Sequence, residues 1–208
     1  GSGITLESSF GSWKAQVKTT ANPGEIGKAE LIIICVKSFN TKQAVEGIKP
    51  LLGENTKILT LQNGMGNIEI ISEIATEDRI IAGVTNEGST LIDTGKIRHA
   101  GHGETIIGTI NGKTPVEMRA IREIFNKIGF ETKISRDIKS LIWSKLIINV
   151  GINALSALTR LPNGKLMECE GTRRILRDAV IEATRVAKRK RVKLIFDDPL
   201  AKVEAVCE

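Results

Sequence analysis

Apolar runs alternate with amphipathic segments along the first part of the chain. Residues 29–37 form a continuous Ile- and Val-rich run, which is typical of a strand buried on both faces of a parallel sheet. Residues 56–62 and 79–85 have the same strand-like character, and residues 41–52 and 67–75 between them predict helices. Because strands and helices alternate, the pattern predicts an α/β fold with a parallel sheet.

Beyond the third predicted strand the pattern indicates a hairpin and then one more helix and strand. Residues 96–99 and 104–110 flank the sequence Ala-Gly-His-Gly, as two paired strands would flank a turn. A helix at 115–128 and a last strand at 130–135 follow. Gly1-Ser2 resembles the remnant of a cleaved expression tag and plays no part in this fold prediction.

After residue 135 the strand signal gives way to helical spacing. Apolar residues recur at helical intervals in 137–158 and in 172–195, with the Pro- and Asn-Gly-containing turn 161–164 between them. We therefore expect an α/β domain of residues 1–135, followed by a mostly α-helical domain of residues 136–208.

Three polar residues interrupt the apolar helix at 140–158. Lys145, Asn149 and Asn153 follow each other at steps of four, so they share one helix face that drifts by about 40° per step. Their neighbours are apolar on nearly every side, which predicts a largely buried helix whose polar stripe lines a cavity or an interface. In one interpretation Lys145 extends to the surface and the amides pair with the backbone or with each other. In the other, Lys145 polarises or protonates a carbonyl group while the amides orient an acidic ligand.

Two further candidates lie at the expected carboxyl ends of the parallel strands, where ligands bind in open α/β sheets. The sequence Gln62-Asn63-Gly64-Met65-Gly66 joins a predicted strand to a predicted helix, and Lys37 follows the first predicted strand. The loop at 62–66 can equally be an ordinary Asn-Gly turn without a ligand. Lys37 can equally be a solvated surface lysine. The glycines do not form a dinucleotide fingerprint, which needs three spaced glycines after the first strand.

Cysteine and histidine usage predicts neither a disulfide nor a metal site. Cys35, Cys169 and Cys207 are an odd number without short spacing, as in reduced cytosolic proteins. His99 and His102 have no cluster of carboxylates or thiols beside them in the sequence, so we expect no metal ligands.

Charge and hydropathy exclude several other classes of protein. The formal net charge is +6, and residues 172–193 alone carry nine basic against two acidic residues. The surplus therefore belongs to one helix, ending in the basic run 188–191, and only 3% of the residues are aromatic, so a nucleic-acid-binding surface is not expected. No apolar window is predicted to span a membrane, and no signal peptide is recognisable. We expect a cytoplasmic protein that binds no nucleic acid and no membrane.

Taken together, the motifs resemble the ketopantoate reductase (2-dehydropantoate 2-reductase) family over nearly all 208 residues. Each motif is modest alone, and their order and spacing carry the resemblance. They are IICVKSFNT (33–41), LQNGMGN (61–67), GVT (83–85), WSKL (143–146), NVGINAL (149–155) and LPNG (161–164).

The resemblance implies a Rossmann-type NAD(P)-binding domain followed by a mostly helical domain. It also implies NADPH-dependent reduction of ketopantoate to pantoate, on the route to pantothenate and coenzyme A. Lys145 matches the family's catalytic lysine, which protonates the nascent alkoxide, and Asn149, Asn153 and Asn163 match its substrate-binding amides. Three positions match cofactor contacts: Lys37, Asn63 and, by position in the loop after residue 85, Ser89. The helical domain of relatives mediates dimer contacts, so a homodimer is possible.

The resemblance also implies segments that these residues do not supply. The family's first strand and glycine-rich phosphate loop would precede Gly3, and a serine and a glutamate of the substrate site would follow Glu208. We expect either a fragment of the gene or part of a longer chain. The alternatives to a ketopantoate reductase are a non-catalytic remnant that binds a partner or a small acid, and a paralogue that reduces another 2-keto acid.

Overall fold

The computed structural model describes residues 3–208, so the interpretation of Gly1-Ser2 lies outside it. The chain divides into two units, one of the residues up to Gln62 with Gly66–Arg136, the other of Asn63–Met65 with Asp137–Glu208. The elements of the first unit are β1 (Ile4–Ser8), β2 (Gly11–Ala15), β3 (Ala29–Ile34), α1 (Thr41–Ile48), β4 (Leu52–Thr60), α2 (Asn67–Ile71), β5 (Ile80–Thr85), β6 (Gly88–Asp93), β7 (Lys96–Gly101), β8 (Thr105–Gly108), α3 (Val116–Lys127) and β9 (Thr132–Ile134).

A five-stranded sheet in the order β3-β4-β5-β8-β9 forms the core of the first unit. The strands β3, β4 and β5 are parallel, as the alternating pattern predicts, and β8 pairs antiparallel to β5. Alternation along β4 sends Ile58 into a cluster with residues of α1 and α2, and Leu59 into a cluster with residues of α3. Both side chains are fully buried. Helices on both faces of the sheet make this an α/β fold.

The first strand of this sheet is less buried than its sequence predicts. β3 ends at Ile34 and lies at the edge of the sheet. Ile32 and Ile34 are buried against the side of α1 and α2, whereas Ile33, on the opposite face, is 44% exposed. The prediction of a strand buried on both faces is therefore wrong for β3, because only an inner strand such as β4 is covered on both sides.

The predicted hairpin of residues 96–99 and 104–110 is wrong. β7 pairs antiparallel with β6 and parallel with β1, in a second sheet of order β2-β1-β7-β6. β8 pairs with β5 and β9 in the five-stranded sheet. The Ala-Gly-His-Gly sequence is thus a passage from one sheet to the other, and the real hairpin turn lies at the Thr94-Gly95 dipeptide between β6 and β7.

Four helices form the described part of the second unit outside residues 63–65. They are α4 (Ile138–Thr159), α5 (Asn163–Glu168), α6 (Glu170–Arg189) and α7 (Pro199–Cys207). The Asp137 carboxylate caps α4 by accepting a hydrogen bond from the Ser140 N–H at 3.1 Å. Ile147, Leu166, Leu176 and Val203, one from each helix, are completely buried in a common cluster.

Two boundaries in this unit differ from the predicted ones. Asn163 and Gly164 form the first turn of α5, so the connection after α4 is shorter than the predicted turn 161–164. α6 ends at Arg189, six residues before the predicted end, because the backbone reaches the left-handed region at Arg191. The basic run 188–191 is exposed at this helix end, where cations interact favourably with the helix dipole.

The helix α4 is, among residues 3–208, the one that is long and apolar enough to cross a membrane. The expectation that no window could span a bilayer is therefore wrong on length and composition alone. Its apolar residues pack with those of the other three helices in the cluster around Ile147. The core helix of a soluble protein can have the same length and apolar composition. Absence of membrane binding stays a prediction.

Candidate functional site

The polar stripe predicted on α4 lies on a different face from the residues that hold the helix in its unit. Ile147, Gly151 and Leu155 are buried at four-residue steps. Lys145, Asn149 and Asn153 are offset from them by two positions, which is about 200° around the helix. Lys145 and Asn149 are half-buried, and Asn153 is exposed. The helix is therefore less buried than expected, and its polar stripe is available for chemistry because the core uses the opposite side.

Burial changes the proton affinity of Lys145. The side chain is partly removed from water, and this desolvation lowers the pKa of its ammonium group from the ordinary value of 10.5. An ammonium group with a lowered pKa releases its proton more readily than a free lysine does, which suits a proton donor.

The remaining predicted site residues are distributed over both units. Asn163 is exposed at the start of α5, after Pro162 at the helix N-cap, and Asn63 is exposed in the segment grouped with the same unit. Lys37 is exposed just before the short 3-10 helix Ser38–Asn40 in the first unit. Ser89 is exposed too, but it lies within β6, opposite His99 of β7, so its predicted loop position is wrong.

A hydrogen-bonded network, buried at Thr41 and Asn67, joins the segments that follow β3 and β4. The Gln62 amide donates to the Val36 carbonyl at 2.7 Å and to the Thr41 hydroxyl at 2.8 Å. The Thr41 hydroxyl donates in turn to the Asn67 side-chain oxygen at 2.9 Å. This network ties the loop after β3 to Gln62, two residues after the end of β4, and all of its members belong to the first unit.

Two glycines shape the loop that carries Asn63. Gly64 and Gly66 have φ angles of 91° and 90°, a region that side chains with a Cβ rarely adopt. Gly66 directly precedes α2, so the turn also sets where that helix begins. The sequence predicts the loop but not the partners of Gln62 and Asn67, although both residues stand in the LQNGMGN motif.

The structure also assembles a group that the sequence analysis dismissed. Glu87, directly after β5, lies 2.7 Å from the ring nitrogen Nε2 of His99 and 3.6 Å from Nδ1 of His102. The expectation of no metal ligands rested on the lack of a cluster of carboxylates or thiols beside the histidines in the sequence, whereas in the structure the Glu87 carboxylate lies beside both rings. Twelve residues separate Glu87 from His99, and the pairing of β6 with β7 brings them together.

Comparison with known families covers almost the whole chain. Residues 1–112 match the family described as ketopantoate reductase PanE/ApbA, and residues 137–208 match the family described as its C-terminal part.

Individual relatives agree with this match. The chain is 35% identical over 173 residues to a 2-dehydropantoate 2-reductase of Halobacterium salinarum, covering 83% of this chain and 57% of the relative. It is 32% identical over 192 residues to the enzyme of the same name from Aquifex aeolicus, covering 91% of this chain and 62% of the relative. The chain thus spans about three fifths of the length of these relatives.

Solved structures share the fold. A 2-dehydropantoate 2-reductase of Geobacter metallireducens aligns with a TM-score of 0.88 and 30% identity, covering 98% of this chain and 70% of that one. The ternary structure of a D-mandelate dehydrogenase with NADH and anilino(oxo)acetate aligns with a TM-score of 0.86 at 20% identity, over 99% of this chain and 66% of that one, and shows the fold alone. On the matches to both parts of the family, this chain belongs to the ketopantoate reductase PanE/ApbA family.

Proposed function

We propose that the protein containing this chain is an NADPH-dependent reductase that converts 2-dehydropantoate to pantoate in pantothenate and coenzyme A biosynthesis. The observation that carries the proposal is the half-buried Lys145, whose pKa is lowered by desolvation. It shares one face of α4 with the side-chain amides of Asn149 and Asn153. Family membership and the names of the relatives support the same reaction.

Lys145 is the proton donor in this proposal. Its ammonium group gives a proton to the oxygen of the substrate ketone as that oxygen becomes an alkoxide, and its lowered pKa eases this transfer. The side-chain amides of Asn149, Asn153 and Asn163 donate hydrogen bonds to the carboxylate and hydroxyl groups of the substrate.

NADPH, when bound, supplies the hydride that reduces the ketone carbon. By their chemistry, the Lys37 ammonium, the Asn63 amide and the Ser89 hydroxyl fit the ribose and amide groups of such a cofactor. Within residues 3–208 no Gly-x-Gly-x-x-Gly sequence follows a strand. We assign cofactor contacts to these three side chains.

We also infer how the whole protein is organised and where it acts. Residues 1–135 form the cofactor domain and residues 136–208 the substrate and dimerisation domain; the division into two units near residue 136 supports this assignment. The proposed location is the cytoplasm.

Ile175 and Val186 are exposed eleven residues apart on α6, on one face of that helix, and suit a homodimer contact. Light scattering after gel filtration measures the oligomeric state: the mass of two chains would support the homodimer, and the mass of one chain would contradict it.

Substrate and cofactor are tested by steady-state assays of the complete gene product. We expect 2-dehydropantoate with NADPH to give a higher kcat/KM than other branched 2-keto acids. A preference for another 2-keto acid would support the paralogue instead. Absence of turnover with every 2-keto acid, in a protein that also fails to bind NADPH, would support a non-catalytic remnant.

A further inference from the structure

Glu87, His99 and His102 form a compact group in the first unit, and the proposed reduction does not use it. One ligand atom from each side chain can be chosen so that all three lie within 4.8 Å of one another. The two imidazole rings contact each other edge to face, with their centroids 4.2 Å apart. Two imidazoles and one carboxylate are a donor set that Zn²⁺ and similar divalent transition metals prefer.

Hydrogen bonds of its main chain hold the turn that carries Glu87 in place. The Asn86 N–H donates to the Glu104 carbonyl at 3.1 Å, and the Glu87 N–H donates to the Thr85 hydroxyl at 3.1 Å. The first contact joins the turn after β5 to the passage between β7 and β8, and the second lies within the turn. The main chain that carries Glu87 is thus held in place, as a metal ligand on a fixed scaffold is.

The passage that carries His102 approaches this turn at Gly103. A Cβ atom at Gly103 would lie 2.5 Å from the Asn86 Cβ and 2.8 Å from the Asn86 carbonyl oxygen, so a larger residue would push the passage away. The Gly103 N–H donates to the Glu87 carboxylate at 3.2 Å. Close packing at one glycine therefore brings His102 within reach of Glu87.

We propose that Glu87, His99 and His102 bind one divalent transition-metal ion of the Zn²⁺ type. In a tetrahedral zinc site the ligand atoms lie about 2.0–2.1 Å from the metal and hence about 3.4 Å from one another. Only small movements are needed to reach this spacing: the His99 Nε2 and Glu87 Oε2 atoms separate from 2.7 Å, and the more distant ligand atoms approach from within 4.8 Å. His102 can supply that movement, because its side chain is 64% exposed.

An ion has access to the group from solvent, because the His102 side chain is exposed. His99 lines an open cavity of about 540 Å³ together with residues of the β1–β2 hairpin, including Ser8 and Ser12. Three protein ligands leave a fourth position of the metal for water. The bound ion links the turn after β5 to β7 and its following passage, so it stabilises the folded protein by mass action.

The first experiment titrates the purified protein, freed of any histidine tag, with ZnCl₂ and follows the imidazole signals by NMR. His99 and His102 are the only two histidines in the sequence, so each set of signals is assigned with one variant. We expect both imidazoles to shift together with a stoichiometry of one ion, and the melting temperature to rise. Shifts confined to His102 would indicate adventitious binding to one surface imidazole and would overturn the proposal, as would no shift at all.

Variants separate this site from other ligands. His102→Ala removes an exposed side chain and should weaken zinc binding at least about 10-fold, since even outer-shell partners contribute 10- to 100-fold. Glu87→Gln should do the same, whereas Glu104→Gln, a carboxylate of the same passage outside the ligand set, should leave the affinity unchanged. Unchanged affinity in the folded His102→Ala variant contradicts the site.

Binding at the cysteines is distinguished with Co²⁺. Cys35 and Cys169 are exposed and are potential thiolate ligands. The proposal predicts a cobalt spectrum without a thiolate charge-transfer band, and the same spectrum in a Cys35→Ser, Cys169→Ser double variant. A strong thiolate band that disappears in the double variant would place the metal at the cysteines and refute the proposed ligands.

Discussion

At the scale of single residues, the half-buried position of Lys145 sets a pH dependence. A proton donor acts in its protonated form, so activity is full below the Lys145 pKa and is lost as the pH rises through it. Desolvation lowers this pKa from 10.5. We therefore expect kcat/KM of the complete gene product to fall on the alkaline side with a midpoint below 10.5, where free lysine would still be charged. If Lys145→Arg retains activity, its alkaline limb should move to higher pH, and an unchanged limb would contradict the assignment.

Thr41 tests the network that joins the loop after β3 to Gln62 and Asn67. Its hydroxyl is fully buried, accepts from Gln62 and donates to Asn67. Thr41→Val keeps the shape but removes both hydrogen bonds, and we expect the free energy of unfolding to fall by about 1–3 kcal/mol. Urea unfolding measures this change. Thr41→Ser keeps the hydroxyl and should lose less, so a loss in Thr41→Ser as large as that in Thr41→Val would contradict the contribution of these hydrogen bonds.

The sequence predicts some of these residues better than others for a physical reason. The stripe of Lys145, Asn149 and Asn153 follows from helical periodicity, because all three residues stand on one helix. The partners of Thr41 lie 21 and 26 residues away along the chain, and Glu87 reaches His99 through strand pairing. Such contacts depend on tertiary structure, which local patterns do not encode.

At the scale of elements, one hydroxyl joins α4 to the segment after α6. Ser144 Oγ donates to the Ser140 carbonyl at 2.7 Å and accepts from the Ile195 N–H at 3.0 Å. Ser144→Ala leaves that N–H without its acceptor, and we expect a loss of about 1–3 kcal/mol in the free energy of unfolding. The amide of Ile195 should also exchange faster in hydrogen-exchange measurements.

A serine on the same helix provides the control for this prediction. Ser156 Oγ donates to the Asn153 carbonyl at 3.2 Å. Within residues 3–208 it accepts no hydrogen bond from another residue. Ser156→Ala should change the free energy of unfolding by no more than about 0.5 kcal/mol. A similar loss in both variants would mean that the Ile195 contact contributes little.

The sequence predicts an element correctly where the spacing of apolar residues is regular, and it fails where the pairing of strands determines the structure. The apolar spacing of residues 137–158 predicts α4 within one residue at each end. The hairpin of residues 96–110 fails because a Gly-containing link looks the same whether the chain turns back or crosses to another sheet. β1 and β2, with two exposed or half-buried faces, lack the apolar run by which β4 is recognised.

At the scale of the whole molecule, the alternation of strands and helices predicts the α/β unit and the helical unit in the correct order. The identity of the family rests on motifs from both units, which match over residues 1–112 and 137–208. The chain covers 57% and 62% of two curated relatives. The catalytic proposal therefore belongs to the complete gene product, and its test is made there.

The most direct test of the central claim is the turnover number of Lys145→Ala with 2-dehydropantoate and NADPH. We predict a fall of at least about 100-fold, the contribution of a positioned general acid, with circular dichroism unchanged. Lys139→Ala, on the same helix at an exposed position, should keep the wild-type turnover number. A folded Lys145→Ala variant that turns over at the wild-type rate would contradict the account.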